Sequence, residues 1–477
     1  MAALLTQHEI QYPQATKNPI KSPKTTFEYR YGPPLFPLTI LLKLLNIFAK
    51  IKAPVAVNNQ PTILILPNFP KLAGRTKIPA PIIFPTTKEV AANRPIFSFC
   101  LVIIKIYISL LIMPNKYNYN IDPDISKAET LPSSFYKDPN VFEDTKSKIF
   151  LKSWQWIGDT ELVPKKNYVY PITVLNNYLS EPVIVSRSDD NNIICLSNVC
   201  THRGNIMVLE PGEMKKLVCT YHGRRFDNEG NFEYMPEFKD AKNFPRSCDN
   251  LHDFPVRKWG ELLFIGFNPV FDFNKVINKM RERVGFLPLE KFQFDQSLSK
   301  DFKIDSHWAL YCDNYLEGFH IPFVHKGLNE VLDYQNYKTE VYDYCNLQIG
   351  FGEDDSNVFD LPEGHIDYGK NIAAYYYWVF PNMMFNFYPW GLSINIVKPI
   401  SNDLTKVSFR SYVFDKSKLN QGAGSDLQKV EEEDEFVVQN VHIGLKSSFY
   451  KAGRFSPTKE QGVHHFHNLL SVFMNSN

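Results

Sequence analysis

Two short segments of this chain each combine one cysteine with one histidine. Their spacing is C-x-H-x16-C-x2-H, so the four side chains converge only if two loops fold back on each other. The residues in question are Cys200, His202, Cys219 and His222. A glycine closes each segment, which is typical of a backbone that must approach a bound group closely. The pattern therefore constrains the surrounding fold to present two matched loops.

Two thiolates and two imidazoles suit two kinds of metal site. A structural zinc can take two Cys and two His, but zinc fingers usually place like residues together at their short spacings. Here each short loop mixes the two types. That mixture suits a Rieske [2Fe–2S] cluster, in which two His replace two Cys on one iron and raise the reduction potential to about −150 mV or above. Strand and turn patterns at 181–186, 193–197 and 226–230 favour a β-rich domain around such a cluster.

A second group of ligating residues lies about a hundred residues further along the chain. Glu317 and His320 are three residues apart, so they share one face of a helix. His325 follows five residues after His320, and Pro322 is expected to break the helix and let His325 return beside His320. Two imidazoles with one carboxylate form the facial triad of non-haem Fe(II) oxygenases.

The carboxylate candidate is Asp434, which lies within the acidic run 431–435. Such runs are usually solvated helix faces, and we expect this of the other four acids. Asp434 instead falls on an apolar stripe with helical spacing. The stripe comprises Leu427, Val430, Val437, Val438, Val441 and Leu445. A carboxylate on a buried face needs a partner, which a metal would supply. Periodicity alone leaves both interpretations of Asp434 open.

From about Phe135 onward the chain resembles the α-subunits of Rieske non-haem iron oxygenases, the aromatic-ring-hydroxylating dioxygenase family. The two Cys–His loops match the cluster loops of that family, and residues 313–325 match its iron motif, N-x2-[DE]-x2-H-x4-H. The segment around Glu433 and Asp434 is similar to the one that carries the third iron ligand, which implies Asp434. The resemblance implies an α+β chain in which an all-β Rieske [2Fe–2S] domain precedes a helix-grip (START-like) catalytic domain.

The same resemblance implies a terminal oxygenase. Its cofactors would be the Rieske cluster and a mononuclear Fe(II), and it would use O2 and a small organic substrate. The sequence shows no flavin or nicotinamide motif, so electrons would come from a separate ferredoxin or flavin reductase. In the resembled family a head-to-tail homotrimer places a bridging acid between the cluster of one subunit and the iron of the next. That acid corresponds to Glu317, which would accept hydrogen bonds from His320 and from a neighbouring subunit's His222.

The substrate class stays open at this point. Glu317 stands where most ring-hydroxylating members have Asp, whereas Glu is typical of the branch similar to choline and carnitine monooxygenases. Hydroxylation of an aromatic ring and monooxygenation of a quaternary ammonium compound are therefore both considered. A Rieske electron carrier is the non-enzyme alternative, but a carrier has no need of Glu317, His320 or His325.

Composition divides the chain near residue 112. Residues 1–112 contain 13 Lys and Arg against three acids, together with 14 of the 33 prolines. We expect this segment not to belong to the working protein, with a membrane anchor and a targeting segment as alternatives. An arm is expected over 113–154, the Rieske domain over 155–268 and the catalytic domain over 269–477.

The remaining composition excludes other classes of protein. The net charge of +1 is the sum of +10 over residues 1–112 and −9 over residues 113–477. The negative charge of the second segment argues against nucleic-acid binding. Seven cysteines without a regular pattern predict no disulfide framework, which fits a reducing, cytoplasmic location.

Local patterns predict several individual elements. We expect a helix over 140–153, a closing strand over 259–267, a β-meander over 375–414 and a helix over 426–448. We assign the tyrosine-rich segment 375–378 mainly to the core. His464, His465 and His467 are expected at a helix end or on the surface.

Overall fold

The computed structural model describes residues 116–476 except 353–354, 356 and 426. The expectations stated above for residues 1–112 lie outside the described residues. Across the described part of the chain, no helix is both long enough and apolar enough to cross a membrane.

An arm precedes the first sheet. It consists of α1 (Ser133–Lys137), α2 (Pro139–Thr145) and a π-helical turn, Lys146–Phe150. Asp138 caps α2, because its carboxylate accepts a hydrogen bond from a backbone N–H in the first turn. The helix predicted over 140–153 is therefore present, but it begins one residue earlier and its second half is wound as a π turn.

Three small antiparallel sheets follow the arm. Their strands are β1 (Trp154–Asp159), β2 (Tyr168–Val174), β3 (Glu181–Arg187), β4 (Ile193–Ser197), β5 (Gly212–Glu213), β6 (Lys216–Val218), β7 (Arg225–Asp227), β8 (Phe232–Tyr234), β9 (Asp253–Phe254), β10 (Val256–Trp259) and β11 (Leu262–Gly266). Their orders are β5-β2-β3-β4-β9, β6-β7-β8 and β1-β11-β10. The strands predicted over 181–186 and 193–197 are β3 and β4. The single strand predicted over 259–267 is wrong, because a turn at Gly260 and Glu261 separates β10 from β11.

A seven-stranded antiparallel sheet dominates the second half of the chain. Its strands are β12 (Gln293–Ile304), β13 (Lys338–Val341), β14 (Cys345–Phe351), β15 (Ile372–Val379), β16 (Met383–Tyr388), β17 (Gly391–Ser401) and β18 (Leu404–Val413). Strands β13 to β18 are neighbours in chain order, and β12 completes the sheet beside β18. The predicted meander over 375–414 is thus part of this sheet.

Six helices accompany the large sheet in the described residues. They are α3 (Phe273–Val284), α4 (Trp308–Tyr315), α5 (Ile321–Val324), α6 (Lys326–Asn329), α7 (Leu427–Leu445) and α8 (Gln461–Asn475). Helix α4 packs against α7, α8 and β17. The helix predicted over 426–448 is α7, which ends three residues earlier than expected. These contacts place α4 and α7 beside each other over the sheet.

One apolar core joins the arm, the small sheets and the large sheet. Trp154 of β1 lies 5.5 Å from Phe273 of α3 between ring centroids, and Phe264 of β11 lies 4.6 Å from Phe273. Phe385 of β16 is 6.0 Å from Phe264. All four rings are buried. The core therefore fixes the large sheet against the β-rich region.

A buried ion-pair group ties α3 to the edge of the large sheet. The Nη2 of Arg283 donates to both carboxylate oxygens of Glu340, at 2.9 and 2.8 Å, and the Nη1 of Arg283 donates to Asp367. Lys370 and Tyr375 also donate to Asp367. Burial alone would raise the pKa of Asp367, but these donors outweigh it and hold the pKa below its usual value.

Replacing Arg283 with Met should lower the free energy of unfolding by about 3–5 kcal/mol, because two carboxylates would lose the buried cation that they share. Lys370 and Lys338, which also reach them, are exposed. Lys275→Met, on the same helix, removes only an exposed pair with Asp343 and should change that energy by about 0–1 kcal/mol. Urea denaturation followed by tryptophan fluorescence measures both. Equal effects of the two substitutions would contradict the assignment.

Candidate functional site

The two Cys–His loops repeat one backbone turn. In each loop the cysteine N–H donates to the carbonyl five residues on at 2.8 Å, and the N–H four residues on donates to the cysteine carbonyl at 2.9 Å. Gly204 and Gly223 supply those second donors and have φ of +72° and +71°. L-residues rarely adopt this conformation, and a side chain on Gly204 would meet only Val199 at 4.0 Å. The glycines are thus required by the turn itself.

The loops place two sulfurs inside and two imidazoles outside. Cys200 and Cys219 are buried, and the Nδ1 atoms of His202 and His222 lie 3.2 Å apart at the half-exposed edge. Burial raises the pKa of Cys200. Burial acts likewise on Cys219, but backbone N–H groups of neighbouring residues face its sulfur and lower its pKa overall. The four predicted ligands are brought together, and their layered arrangement fits a cluster with one sulfur-ligated iron and one nitrogen-ligated iron.

A buried support behind the loops was not predicted from the sequence. The carbonyl of Asp249 accepts from Thr201 of the first loop at 2.8 Å and from Arg224, next to the second loop, at 3.0 Å. Arg224 is 1% exposed, and its guanidinium also donates to the Asp249 carboxylate at 2.8 Å. Phe232 and Phe244 cover the guanidinium, with centroids 4.9 and 5.4 Å away. Asp249 ends a 3-10 helix of only three residues, Ser247–Asp249, so no periodic signal could have identified it.

Three ligating atoms of the second predicted group meet above the large sheet. The Nε2 atoms of His320 and His325 lie 3.1 Å apart. The Oδ1 atom of Asp434 lies 3.0 Å from the Nε2 of His325 and 3.5 Å from that of His320. Helix α7 therefore carries its predicted ligand to both histidines, and Asn314 of α4 donates to the same oxygen at 2.6 Å.

A second carboxylate lies behind each imidazole. The Oε1 of Glu317 is 2.7 Å from the Nδ1 of His320, and the Oε2 of Glu433 is 2.8 Å from the Nδ1 of His325. An ionised carboxylate only accepts hydrogen bonds, so each Nδ1 carries a proton and the Nε2 is the atom of each ring that is left to bind a metal. The sequence reasoning did not assign this role to Glu433.

This arrangement fits a bound metal ion. Two lone pairs and a carboxylate oxygen that face one another at about 3 Å repel unless a cation lies among them. Burial lowers the pKa of His325, yet Asp434 and Glu433 outweigh burial and raise it, which reflects the excess of negative charge. Two His and one carboxylate on one side of the ion, with open positions on the other, form the donor set of non-haem Fe(II).

The backbone around His320 and His325 differs from the expected one, although it brings the two rings together. Helix α4 ends at Tyr315, before Glu317, so Glu317 and His320 lie in a turn rather than on one helix face. Pro322 stands in the first turn of α5, where a proline is tolerated, and it does not break a helix there. The proximity of His320 and His325 is as predicted, but the break precedes both.

The acidic run of α7 is less exposed than expected. Glu431 is 3% exposed, and Glu433 contacts His325, so the prediction of a solvated face is wrong for both. Tyr311 of α4 donates to the Oε2 of Glu431 at 2.5 Å. Burial raises the pKa of Glu431 well above its usual value. Several carboxylates of one helix therefore face inward.

Helix α8 supports the ligand turn from behind. A side chain at Gly462 would place its Cβ 2.3 Å from the carbonyl of Leu316, so α8 packs directly on the backbone that leads to Glu317. His467 is buried and its Nε2 lies 3.0 Å from Asp313 at the end of α4. His465 is half-buried and bonded to Asn346 at 2.8 Å, and burial lowers its pKa to about 4. Both histidines lie in the first two turns of α8, which agrees with the expected helix end, but neither is on the surface.

A cavity of about 110 Å³ opens beside the three ligating atoms. Its aromatic lining comprises Tyr311, Tyr315, Tyr337, Tyr376, Tyr388 and Phe409. Its polar lining includes Gln348, Asn386, Ser393, Asn395 and Glu431. Of the segment 375–378 only Tyr376 lines the cavity, while the other three side chains are buried in the core as expected. An outer cavity of about 270 Å³ shares Ser393, Phe409 and Leu427 with it.

Comparison with known protein families agrees with this geometry. Residues 153–245 match the Rieske [2Fe-2S] domain, and residues 295–476 match the ring hydroxylating alpha subunit (catalytic domain). Each match contains one of the two clusters of ligating residues. The chain belongs to the Rieske non-haem iron oxygenases.

Individual relatives of this oxygenase extend over most of the chain. Choline monooxygenase of Beta vulgaris is 26% identical over 430 residues, which cover 87% of this chain and 90% of that protein. The carnitine monooxygenase oxygenase subunit of Escherichia coli K12 is 27% identical over 364 residues, covering 72% and 94%.

Solved structures share the fold of this oxygenase. The quaternary ammonium Rieske monooxygenase CntA superposes with a TM-score of 0.60 at 20% identity, covering 75% of this chain and 99% of that one. Naphthalene 1,2-dioxygenase of Rhodococcus sp. gives a TM-score of 0.55 at 17% identity, covering 72% and 94%. The α+β fold is thus a Rieske domain followed by the helix-grip catalytic domain of this family.

Membership of the family establishes the general activity. The protein is a terminal oxygenase that uses O2 and electrons from a separate reductase, with a [2Fe–2S] cluster and a mononuclear iron as cofactors. An independent Rieske electron carrier would not need the converging ligands of the second site.

Substitutions should separate the two metal centres. Cys219→Ser should abolish the optical and EPR signals of the cluster, because a thiolate ligand is lost. Asp434→Ala should leave those signals and remove the mononuclear iron together with product formation. Glu433→Gln should lower iron affinity by about 10–100-fold by loosening His325. Iron analysis and EPR spectroscopy measure each effect.

Glu432→Gln is the matched control, since Glu432 is exposed on the same helix and accepts only from Gln428. It should retain both centres. Full iron and activity in Asp434→Ala would show that a different acid is the third ligand.

Proposed function

We propose that this oxygenase monooxygenates a small quaternary ammonium compound. The observation that carries the proposal is the aromatic cavity beside His320, His325 and Asp434. The rings of Tyr376 and Tyr388 are 5.9 Å apart at 79°, so they form two walls of a corner. Aromatic faces of this kind bind quaternary ammonium groups by cation–π attraction. The named activities of the Beta vulgaris and Escherichia coli relatives support the same substrate class.

Hydroxylation of an aromatic hydrocarbon is the second candidate, and the naphthalene dioxygenase fold is its support. The polar lining argues against it. Asn395 and Glu431 are 5% and 3% exposed, and Gln348 has a buried oxygen without a partner. A hydrocarbon would cover such groups without satisfying them, which costs about 1–3 kcal/mol for each.

We propose specific roles for the residues. Cys200, Cys219, His202 and His222 hold the cluster, which supplies electrons one at a time. His320, His325 and Asp434 hold the iron, which supplies the activation of O2 when it is bound. Glu317 and Glu433 keep a proton on the Nδ1 of each iron histidine and fix the ring orientations. The aromatic walls exclude water and hold the substrate against the open side of the iron.

We propose that the working enzyme is a homotrimer in which Glu317 joins the two kinds of centre. The edges of both sites expose apolar rings that suit an interface: Tyr221 beside His222 is 58% exposed, and Phe323 between the iron histidines is 76% exposed. A carnitine-oxidising relative is described as using inter-subunit electron transfer. Glu317 accepts from the backbone N–H and from the Nδ1 of His320, and each carboxylate oxygen has a second lone pair that a neighbouring subunit's His222 would use.

The domain limits follow the same proposal. We propose an arm over 113–154, a Rieske domain over 155–268 and a catalytic domain over 269–477. The cytoplasmic location stays a prediction, and the plant relatives are named chloroplastic.

Oxygen uptake by the enzyme, with its cluster reduced, tests the substrate class. Quaternary ammonium compounds such as choline and carnitine should stimulate uptake and yield an oxygenated product in equal amount. Naphthalene and benzoate should not, because they leave the cavity's polar groups unpaired. Product formation from an aromatic compound alone would contradict the proposal.

Glu317→Gln tests the electron path. With iron supplied in excess so that the mononuclear site is filled, the variant should keep both metal centres and the oligomer. It should nevertheless slow substrate-dependent reoxidation of the cluster by about 10–100-fold, because the amide no longer accepts from both imidazoles. Stopped-flow absorbance of the cluster measures the rate. Glu330→Gln, an exposed acid nearby, is the control and should behave as the wild type. Wild-type reoxidation in Glu317→Gln, or a fully active monomer, would exclude the inter-subunit route.

A further inference from the structure

Among the described residues that line the active-site cavity, Gln348 and Glu431 each have a buried oxygen without a partner, and only that of Glu431 belongs to an acid. Glu431 lines the cavity and is 3% exposed. Its Oε2 accepts from Tyr311 at 2.5 Å, whereas its Oε1 is buried and unpaired. An unsatisfied buried carboxylate oxygen costs free energy in the absence of a ligand. Glu431 lies one helical turn from Asp434, so this unfavourable contribution to stability lies beside the proposed metal site.

The surroundings of this oxygen suit an onium ion. The cavity combines the carboxylate with the corner formed by Tyr376 and Tyr388. A quaternary ammonium group has no N–H and so can donate no conventional hydrogen bond. Such a cation is recognised by aromatic faces and by an opposing charge. The volume of about 110 Å³ is below the range of about 300–1,000 Å³ typical of drug-sized ligands, so a small headgroup fits.

We propose that Glu431 is the counter-ion of the substrate's quaternary ammonium headgroup and selects compounds with a net positive charge over short zwitterions. The inference rests on the proposed function and adds the recognition of charge to it. Burial raises the pKa of Glu431, because an isolated carboxylate is poorly solvated at this position. A bound cation compensates the desolvation and stabilises the carboxylate, with Tyr311 donating to it.

The charges of the lining explain the discrimination. Among the described lining residues of the inner cavity, Glu317, Glu431 and Asp434 are acids and none is Lys or Arg. A short zwitterion would bring its own carboxylate into this cavity without a cationic side chain to meet it, which is unfavourable in a buried site. Lys300 lines only the outer cavity, where it donates to Gln428. An alcohol such as choline carries no such carboxylate.

Glu431→Gln removes the charge and keeps the size of the side chain and the acceptor for Tyr311. Calorimetry of the holoenzyme should show that choline binds the variant about 30-fold or more weaker than the wild type, because a buried charge pair loses one member. Binding of 3,3-dimethylbutan-1-ol, the uncharged carbon isostere of choline, should change little. Glu432→Gln is the control, because Glu432 is exposed on the same helix and does not line the cavity.

Steady-state kinetics give the second readout. The wild type should have a higher kcat/KM for choline than for glycine betaine, and Glu431→Gln should reduce that ratio by about tenfold or more, mainly through KM for choline. Wild-type choline affinity in Glu431→Gln, or a preference of the wild type for glycine betaine, would overturn the inference and leave the proposed function standing. Failure of the wild type to bind or oxidise any quaternary ammonium compound would overturn the proposed function instead.

Discussion

The catalytic half of this protein depends on holding three electron-rich atoms against one another. The Nε2 atoms of His320 and His325 and the Oδ1 of Asp434 lie 3.0–3.5 Å apart, a separation that repels unless a cation is bound. Carboxylates at both Nδ1 atoms prevent the rings from rotating away and keep each Nε2 directed at the position of the ion. Much of the surrounding structure can be understood as the support for this arrangement.

That support comes from elements far apart in sequence. Helix α7 brings Asp434 and Glu433 to histidines more than a hundred residues earlier, and α4 anchors Asp434 through Asn314. Helix α8 approaches the ligand turn so closely that Gly462 has no space for a side chain. The large sheet provides the aromatic wall opposite these helices. The cluster loops are joined in a comparable way, because the carbonyl of Asp249 accepts hydrogen bonds from Thr201 of the first loop and from Arg224 beside the second.

The sequence predicted both ligand sets because metal chemistry restricts residue type and spacing strongly. The Cys–His loops and the pair of His320 and His325 were recognisable in this way, whereas Asp434 followed from the family resemblance, because periodicity left its role open. Hydropathy patterns predicted the β-meander and helix α7. The burial of the acidic residues on α7 was not predicted from the sequence. Glu431 and Glu433 belong to a run of five acids, which is typical of a solvated helix face. Their inward position depends on tertiary contacts, of Glu431 with Tyr311 of α4 and of Glu433 with His325. Pro322 was misjudged similarly, because a proline begins a helix as readily as it ends one.

Helix α7 carries a recognition group and a metal ligand on one rigid element. Under the proposed assignment, Glu431 fixes the nitrogen of the substrate and Asp434 helps to fix the iron. Three residues of an α-helix rise about 4.5 Å along its axis. The separation of Glu431 and Asp434 along the helix would then determine which carbon of the substrate lies nearest the iron. Regioselectivity in this enzyme would accordingly follow from the length of the chain between the nitrogen and the oxidised carbon, and not from the reactivity of that carbon alone.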